Sequence, residues 1–420
     1  MKPITAPKKL VIIGLVWPEP QSSAAGSRML QLIQLFLDKK YSITFCSAAS
    51  HSPFQANLTA LGVKSESIQL NDDSFDSFIK KETPDFVLFD RYLTEEQYGW
   101  RVAASCPNAI RILDTEDLHC LRYVRQEALK KKVDFNESDL LTSEFAFREI
   151  ASILRCDITL IVSEYEMYLL KDVFKLNPIL LHYLPLFYSE ITEENAASWN
   201  PFEKREHCVF MGNFLHQPNA DAVNYLKTDI WPLIRVKLPT LELHIYGAYA
   251  NSKIEQLNSV KQGFIVKGRA DDALKTLSNY RINFAPLRFG AGIKGKLLDA
   301  MLSGTPSITT SIGAESMTIN DDWAGLISDD IKEMVEGFEQ LYHSPTLWKK
   351  TQLKGAQIIN TRFEKSSFEE PFFFKLTTVF DGLKQHRLDN FMGGLLHHHT
   401  LQSTKYMSKW IALKNIPKED

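Results

Sequence analysis

Short apolar runs recur along the whole chain and alternate with longer stretches that carry apolar residues at helical spacing. We predict buried strands in the first half at residues 9–16, 43–46, 85–90, 109–114, 156–162 and 179–185. Further strands are predicted in the second half at residues 207–214, 241–247, 264–269 and 282–287. Helical stretches such as 29–39 and 118–130 lie between them. Strands that alternate with helices predict parallel sheets covered by helices, so the fold class is α/β.

A polar stretch from residue 189 to 205, which contains Pro201, separates the two halves of this pattern. The 420 residues suffice for two domains that each have a core, and we predict domains at 1–195 and 196–362. A phenylalanine-rich segment, 363–384, and a tail, 385–420, follow. No role is predicted for the tail. Its run of three histidines at 397–399 is too short to indicate a metal site.

Composition and charge narrow the class of protein further. A net charge of −3 argues against general binding of nucleic acids. The five cysteines are scattered and form no C-x-x-C pair, which favours neither a zinc site nor a disulfide framework and indicates a cytoplasmic location. No stretch approaches the roughly 18 to 20 apolar residues of a membrane span. A peripheral contact with the inner face of the membrane is an alternative for the aromatic segment.

The most informative stretch joins the strand at 282–287 to a helix that begins near residue 295. We call its loop, residues 288–294, the glycine turn. Such a turn exposes backbone N–H groups at the positive end of the helix dipole, which suits an anion. Asp299, about one turn into the helix, is placed to accept hydrogen bonds from sugar or ribose hydroxyls. The sequence therefore predicts a phosphate site, with three glycines and three cations: Gly290, Gly292, Gly295, Arg288, Lys294 and Lys296.

Two other interpretations of this stretch are open. The glycines could serve only close packing at a helix start, with Lys296 and Asp299 paired three residues apart. The spacing G-x-G-x-x-G also occurs in dinucleotide-dependent oxidoreductases, where it normally follows the first strand of its domain. Several predicted strands of the second half precede it here, which makes the oxidoreductase the weaker alternative.

The run from Ala285 to Met301, with the continuations 303–306 and 310–315, resembles the donor-site segment of family 4 glycosyltransferases. It is most similar to the branch written P-L-R-x-G-A-G-I-K-G-K-L-L-E-A-M. The resemblance covers about residues 9–380 and is strongest over about 212–315. It implies the glycosyltransferase-B fold, in which two Rossmann-like domains face each other across a cleft. It also implies that a helix within 363–384 crosses back onto the first domain.

The resemblance implies transfer of a sugar from a nucleotide-sugar donor, with retention of configuration and without a required metal or cofactor. The expected partners are that donor and a sugar, lipid-linked or other hydroxyl acceptor, in polysaccharide or glycolipid synthesis. No oligomeric state is predicted. Ala291 departs from the family, because most members have a glutamate there. Asp299 can take the ribose role, and a non-catalytic nucleotide-sugar binding protein is the alternative function.

Further donor-site residues follow from the resemblance alone. Gly268 and Arg269 are expected near the nucleobase, Gly26 near the diphosphate or the acceptor, and Glu315 near the transferred sugar. Gly212 opens a loop in which much of the family has an arginine and a lysine for the donor phosphates. This chain lacks both, so the expected phosphate partners are the cations of the late stretch: Arg288, Lys294 and Lys296.

The strand at 109–114 ends in Asp114 and is followed by Glu116, Asp117 and His119, so three acids and a histidine lie at the strand end where ligands of such sheets collect. His119 is a candidate to position or deprotonate an acceptor hydroxyl, and Asp117 to fix its tautomer. Lys294 is the third catalytic candidate, because its charge would stabilise the leaving diphosphate. The alternative is that Asp117 caps the helix 118–130 and that His119 lies on the surface.

Overall fold

The computed structural model describes residues 7–398 together with Tyr406 and Trp410. Two parallel sheets of seven and six strands organise the described residues. The first sheet contains β1 (Lys9–Gly14), β2 (Ser42–Ser47), β3 (Lys64–Ser67), β4 (Phe86–Asp90), β5 (Ile110–Asp114), β6 (Ile158–Ile161) and β7 (Leu181–Tyr183). The second contains β8 (Glu206–Met211), β9 (Leu243–Tyr246), β10 (Phe264–Gly268), β11 (Tyr280–Ala285), β12 (Ser307–Thr309) and β13 (Gly325–Ile327).

Helices connect the strands. In the N-terminal half, built on the first sheet, they are α1 (Ala24–Asp38), α2 (Ser74–Glu82), α3 (Arg91–Ser105), α4 (His119–Lys131), α5 (Glu144–Arg155) and α6 (Glu164–Tyr168). A short α7 (Glu193–Ala197) leads to the C-terminal half, which holds α8 (Gln217–Tyr225), α9 (Trp231–Lys237), α10 (Ser252–Glu255), α11 (Ala273–Leu277), α12 (Gly295–Leu302), α13 (Ser311–Ala314), α14 (Ile331–His343) and α15 (Pro345–Arg362). The chain ends its described part with α16 (Ser366–Asp381), α17 (Leu383–Leu388) and α18 (Phe391–His397).

The strand order creates a crevice in each sheet. The first sheet runs β3-β2-β1-β4-β5-β6-β7 and the second β10-β9-β8-β11-β12-β13. In the second sheet the order reverses between β8 and β11, and ligands of open parallel sheets bind outside the carboxyl ends of strands at such a point. Gly212 follows β8 directly and the glycine turn follows β11, so the fold places both at this crevice.

The predicted strands all overlap observed strands, because buried parallel strands are continuous apolar runs. β3 was not predicted, since its four residues are exposed and polar. β12 and β13 have three residues each, too few for a recognisable run. The first helix was predicted to begin at Met29, which is wrong: Ser23 accepts the Gly26 N–H and caps a helix that begins at Ala24. Gly26 therefore lies in the first helical turn rather than in a loop.

The aromatic segment forms α16, which packs on the N-terminal half as predicted. Phe372, Leu376 and Val379 lie in one core cluster with residues of β1, β4 and α1. The rings of Phe372 and Phe36 are 5.7 Å apart in an edge-on arrangement. The crossover helix of the predicted fold is thus confirmed, while the domain boundaries at 195, 362 and 384 stay predictions.

The tail continues along the N-terminal half. Arg387 of α17 donates to the Asp157 carboxylate at 2.7 and 2.8 Å, and α18 packs on α5. His399, the last of the three tail histidines, is outside the described residues. No helix in the described part of the chain combines the length and the apolar character needed to cross a bilayer.

Candidate functional site

The first turns of α1 and α12 meet at the boundary between the two halves. A Cβ on Gly295 would lie only 2.7 Å from the Ala24 Cβ, so this contact requires glycine on the α12 side. Both helices bring their N-termini here. Because the first N–H groups of a helix have no partner within it and carry the positive end of its dipole, the contact forms an electropositive site.

The glycine turn lies at this boundary but is buried against the N-terminal half. Gly292 has a φ of +62°, and a Cβ there would lie 2.8 Å from the Asp117 Cβ. The Gly292 N–H donates to Glu166 Oε1 at 2.9 Å, and the Gly290 carbonyl accepts from Arg125 at 2.9 Å. The expectation that the Gly292 amide is open to an anion is therefore wrong in this structure, because a protein carboxyl already occupies it.

Lys294 is also engaged by the protein. Its Nζ donates to the Gly292 carbonyl at 2.8 Å and lies 3.9 Å from Glu315 Oε2. Burial lowers the pKa of Lys294, and Glu315 opposes that shift. Both oxygens of Glu315 accept from Arg125, at 2.6 and 2.9 Å. Glu315 is therefore held in an ion pair across the boundary, and a sugar would have to compete with Arg125 for it.

Lys296, on the first turn of α12, and Asp299, at the start of the second turn, are less fully bonded. The Lys296 ammonium donates to the Asn219 side-chain oxygen and lies 4.4 Å from the centre of the Phe210 ring. No hydrogen bond reaches the Asp299 carboxylate from any described residue. Burial lowers the pKa of Lys296 to about 7 and raises that of Asp299 to about 7. Both side chains keep part of their surface accessible, so a ligand can reach them.

Arg288 does not join these lysines as a free charge. Its side chain is exposed and makes a two-armed ion pair with Asp221 of α8, at 2.5 and 2.9 Å. The guanidinium also lies 4.6 Å from the Tyr225 ring centre. The sequence grouped Arg288 with Lys294 and Lys296, but in the structure Asp221 compensates its charge.

Asp117 and His119 come together with Arg122. His119 Nε2 lies 3.4 Å from Asp117 Oδ1, and Arg122 donates to the other Asp117 oxygen. Burial lowers the pKa of His119 to about 4. Burial alone would raise the pKa of Asp117, but Arg122 and His119 lower it to about 2. At neutral pH the pair is therefore a carboxylate beside a neutral imidazole.

The alternative that Asp117 caps α4 is wrong. The N-cap of α4 is Leu118, which offers no side-chain oxygen. Two distant glutamates take the free N–H groups instead. Glu149 accepts from His119 and Cys120 at 3.0 and 2.9 Å, and Glu166 accepts from Leu118 at 2.8 Å. His119 is 17% exposed at its side chain and thus is not a surface residue.

Three glycines of the predicted site differ in surroundings. A Cβ on Gly212 would lie 2.7 Å from Asn219 Nδ2 and 2.8 Å from Lys296 Nζ, so glycine lets both approach. Gly26 packs against the backbone of Glu19 at the start of α1. Gly268 has a φ of +76° and open space around it.

Arg269, beside Gly268, bridges the two halves. It donates to Gln21 at 3.1 Å and lies 4.3 Å from the Phe54 ring centre. Loops of the N-terminal half therefore cover the place where the nucleobase is expected.

Sequence reasoning missed Arg125, Glu166 and Glu149, which are buried charged residues. One signal was available for Arg125. It shares a face of α4 with buried Leu121 and Ala128, at positions i, i+4 and i+7, where an apolar side chain is expected. A charge on such a face indicates a partner from elsewhere in the fold. Among the described residues, no group of three His, Cys, Asp or Glu side chains is arranged for a metal ion.

Comparison with known proteins adds the family context. Residues 205–344 match the family described as Glycosyl transferases group 1. A protein of Klebsiella pneumoniae, described as an uncharacterized 44.6 kDa protein in the cps region, is 27% identical over 129 residues. That match covers 29% of this chain and only 33% of the Klebsiella protein, about a third of its length.

Solved structures match over nearly the whole chain. Sucrose-phosphate synthase from Thermosynechococcus elongatus gives a TM-score of 0.66 at 14% identity, covering 89% of this chain and 100% of that one. A variant of S. aureus TarM, solved with fondaparinux, alpha-GlcNAc-glycerol and UDP, gives 0.66 at 11% identity, covering 89% and 99%. At these low sequence identities, the structural similarity establishes the fold only. The chain has the glycosyltransferase-B fold, and residues 205–344 within its C-terminal half match the group 1 glycosyltransferase family.

Proposed function

We propose that this protein transfers a sugar from a nucleotide-sugar donor to an acceptor hydroxyl, with retention of configuration, in polysaccharide or glycolipid synthesis. The observation that carries the proposal is the N-terminal part of α12, where Lys296 and Asp299 are half-buried with unfilled bonding capacity beside the start of α1. The group 1 family match supports it, because this part of α12 falls within residues 205–344.

The leaving group of such a transfer is a nucleoside diphosphate, whose negative charge must be stabilised as the glycosidic bond breaks. In our proposal Lys296 and the free N–H groups at the start of α12 bind the diphosphate without a metal ion. Asp299 accepts hydrogen bonds from ribose hydroxyls. An arriving anion restores the charge that burial disfavours on Lys296, so binding and protonation support each other.

The N-terminal half contributes Asp117 and His119 to the site. Because the pKa of His119 is about 4, its imidazole is neutral at pH 7 and is a weak base. We assign it the role of a hydrogen-bond partner that orients a sugar or acceptor hydroxyl, with Asp117 holding the ring. Lys294 acts through the glycine turn, since its Nζ bonds the Gly292 carbonyl. The reaction is placed in the cytoplasm, at the inner face of the membrane if the acceptor is a lipid.

A panel of nucleotide sugars tested by thermal shift identifies the donor, because a ligand that binds the folded state raises its melting temperature. The donor found is then tested in a product assay with wild type and Asp299→Ala. We expect a shift and product for the wild type and neither for the variant. Equal shifts for both proteins would refute the site.

A second candidate function is a nucleotide-sugar binding protein without transfer activity. Ala291 favours it, because this residue is buried in a core cluster of the N-terminal half and provides no carboxylate to a sugar. The same assays separate the two functions. A donor that raises the melting temperature but gives no product with any acceptor tested would favour the binding protein. The oxidoreductase alternative is weakened, since the glycine motif follows β11, the fourth strand of its sheet along the chain.

A further inference from the structure

Glu166 is a fully buried carboxyl at the boundary, and the proposed chemistry does not use it. It lies in the first turns of α6 with no exposed surface. One oxygen, Oε1, accepts two backbone N–H groups from different halves of the protein. Gly292 of the glycine turn donates at 2.9 Å, and Leu118, between Asp117 and His119, donates at 2.8 Å.

We infer that Glu166 is a positioning residue: its carboxyl fixes the glycine turn of one half against the Asp117–His119 loop of the other when the two halves are closed. This inference rests on the proposed function, because the two segments it joins are those assigned to the donor and to the acceptor hydroxyl.

Stability alone does not account for this carboxyl. Glu166 Oε2 is buried without a hydrogen-bond partner, and its neighbours include Asp117 and Glu315 as well as Lys294. Burial raises the pKa of Glu166 to about 8, with Asp117 adding to the shift. A buried carboxyl with an idle oxygen is a poor source of folding free energy compared with an apolar side chain of similar size. Its two hydrogen bonds do, however, fix the spacing of two loops.

A second contact fixes the other end of the same turn. Arg125 donates to the Gly290 carbonyl at 2.9 Å and holds Glu315 with two hydrogen bonds. Ala291, between the two bonded glycines, packs into a core cluster of the N-terminal half. The turn is thus held at Gly290 and at Gly292, so losing either contact moves it relative to Asp117 and His119.

The test uses the full chain with Glu166→Ala and Glu166→Gln. Glutamine keeps an oxygen for both N–H groups and resembles the neutral carboxylic acid that burial favours. Glu164→Gln is the matched control, because Glu164 also pairs across the boundary, with Arg362 at 2.6 Å, but is more than half exposed. Circular dichroism and the melting temperature establish that each variant is folded.

Amide hydrogen exchange of substrate-free protein is the first readout. We expect exchange at Gly292 and Leu118 to rise by about tenfold or more in Glu166→Ala, since each loses a hydrogen bond to a carboxyl. Glu166→Gln and Glu164→Gln should stay within about threefold of wild type. Unchanged exchange at Gly292 in Glu166→Ala overturns the inference.

Transfer kinetics with the donor found by thermal shift is the second readout. We expect kcat to fall by about 100-fold in Glu166→Ala, as for other displacements of about 1 Å in catalytic groups, and to recover to within about threefold in Glu166→Gln. Donor KM should change less than kcat, because Lys296 and Asp299 are untouched. An unchanged kcat in Glu166→Ala also overturns the positioning role. Absent transfer in the wild type would contradict the proposed function instead, and the exchange readout would still decide on Glu166.

Discussion

The glycine turn and the first turn of α12 are consecutive in sequence, yet their polar groups differ in how fully other parts of the protein bond them. In the glycine turn, the polar groups of Gly290, Gly292 and Lys294 are bonded to the protein itself. At the start of α12, Asp299 has no hydrogen bond from the described residues and Lys296 has one neutral acceptor.

The difference separates structural from ligand-binding groups within one motif. A buried polar group without a partner destabilises a fold, so it persists where something else supplies the partner. The Asp299 carboxylate meets that condition, and Lys296 meets it in part because its one acceptor is the neutral Asn219 amide. The glycine turn, in contrast, holds the two halves together. Variants that break the contacts of Gly290, Gly292 or Lys294 should therefore lose stability, and variants at the helix start should lose function.

The largest effect is expected for the contact that holds the glycine turn. Arg125→Ala removes the ion-pair partner of half-buried Glu315 and should lower the free energy of unfolding by about 3 to 5 kcal/mol. Denaturant titration measures this. Arg125→Met combined with Glu315→Gln should be less destabilised than Arg125→Ala, because no unpaired charge is left. A decrease of less than about 1 kcal/mol in the free energy of unfolding of Arg125→Ala would contradict a structural role for the turn.

At the helix start the expected effect is on function. Asp299→Ala should reduce transfer at least about 100-fold, since hydrogen bonds to the donor are lost in a buried site. Its melting temperature should equal or exceed that of the wild type, because a buried carboxyl without hydrogen bonds is removed. Product assays and calorimetric scans on the same preparation test both parts. A drop in melting temperature comparable to that of Arg125→Ala would abolish the distinction between the two turns.

The histidines at the boundary predict a smaller, pH-dependent effect. His216 precedes α8 and lies near Asp117 and His119. Burial lowers the pKa of His119 to about 4 and that of His216 to about 3, against an ordinary value of about 6.5. Below about pH 6.5 these two histidines bind more protons in the unfolded chain than in the folded protein, so their contribution to stability should fall as the pH drops from 6.5 to 4.

His216→Asn tests this sign directly. Each such histidine contributes at most about 1.4 kcal/mol per pH unit to the slope of the free energy of unfolding against pH. In the variant, the part of this slope that His216 contributes should be absent. Urea titrations of both proteins at pH 7, 6 and 5 measure the slope. A variant as steep as the wild type would show that His216 is not held neutral in the fold.

The smallest effect is expected for Arg288, the exposed cation of the glycine turn. Its ion pair with Asp221 lies at the surface, and exposed pairs contribute roughly 0 to 1 kcal/mol. Arg288→Ala should therefore leave stability within about 1 kcal/mol and transfer within about threefold of wild type. A loss of transfer as large as that of Asp299→Ala would return Arg288 to the phosphate site.

The sequence predicted the fold well for a physical reason. Most buried parallel strands appear as apolar runs and were located, whereas β12 and β13 were missed and β3 is exposed and could not appear as an apolar run. The crossover helix was predicted from its phenylalanines together with the family resemblance, and its core contacts follow the apolar residues.

The site was harder to predict because bonding partners come from distant segments. The sequence brings Arg288, Lys294 and Lys296 together as three cations of one loop. It does not reveal that Asp221 compensates Arg288 or that Lys294 bonds back to Gly292. Glu166 lies 126 residues before its partner Gly292, and no local pattern links them. Only the tertiary contacts show that Asp221 neutralises Arg288 and that Lys294 bonds the Gly292 carbonyl, whereas Lys296 has one neutral acceptor.

Calorimetric titration with the nucleoside diphosphate of the identified donor tests the central claim most directly. The proteins compared are the wild type, Lys296→Met and Arg288→Ala, two cations of one motif of which only Lys296 lies on the first turn of α12. We predict that Lys296→Met weakens binding at least about tenfold, while Arg288→Ala binds within about threefold of the wild type. Wild-type affinity in Lys296→Met would contradict a diphosphate site at the first turn of α12.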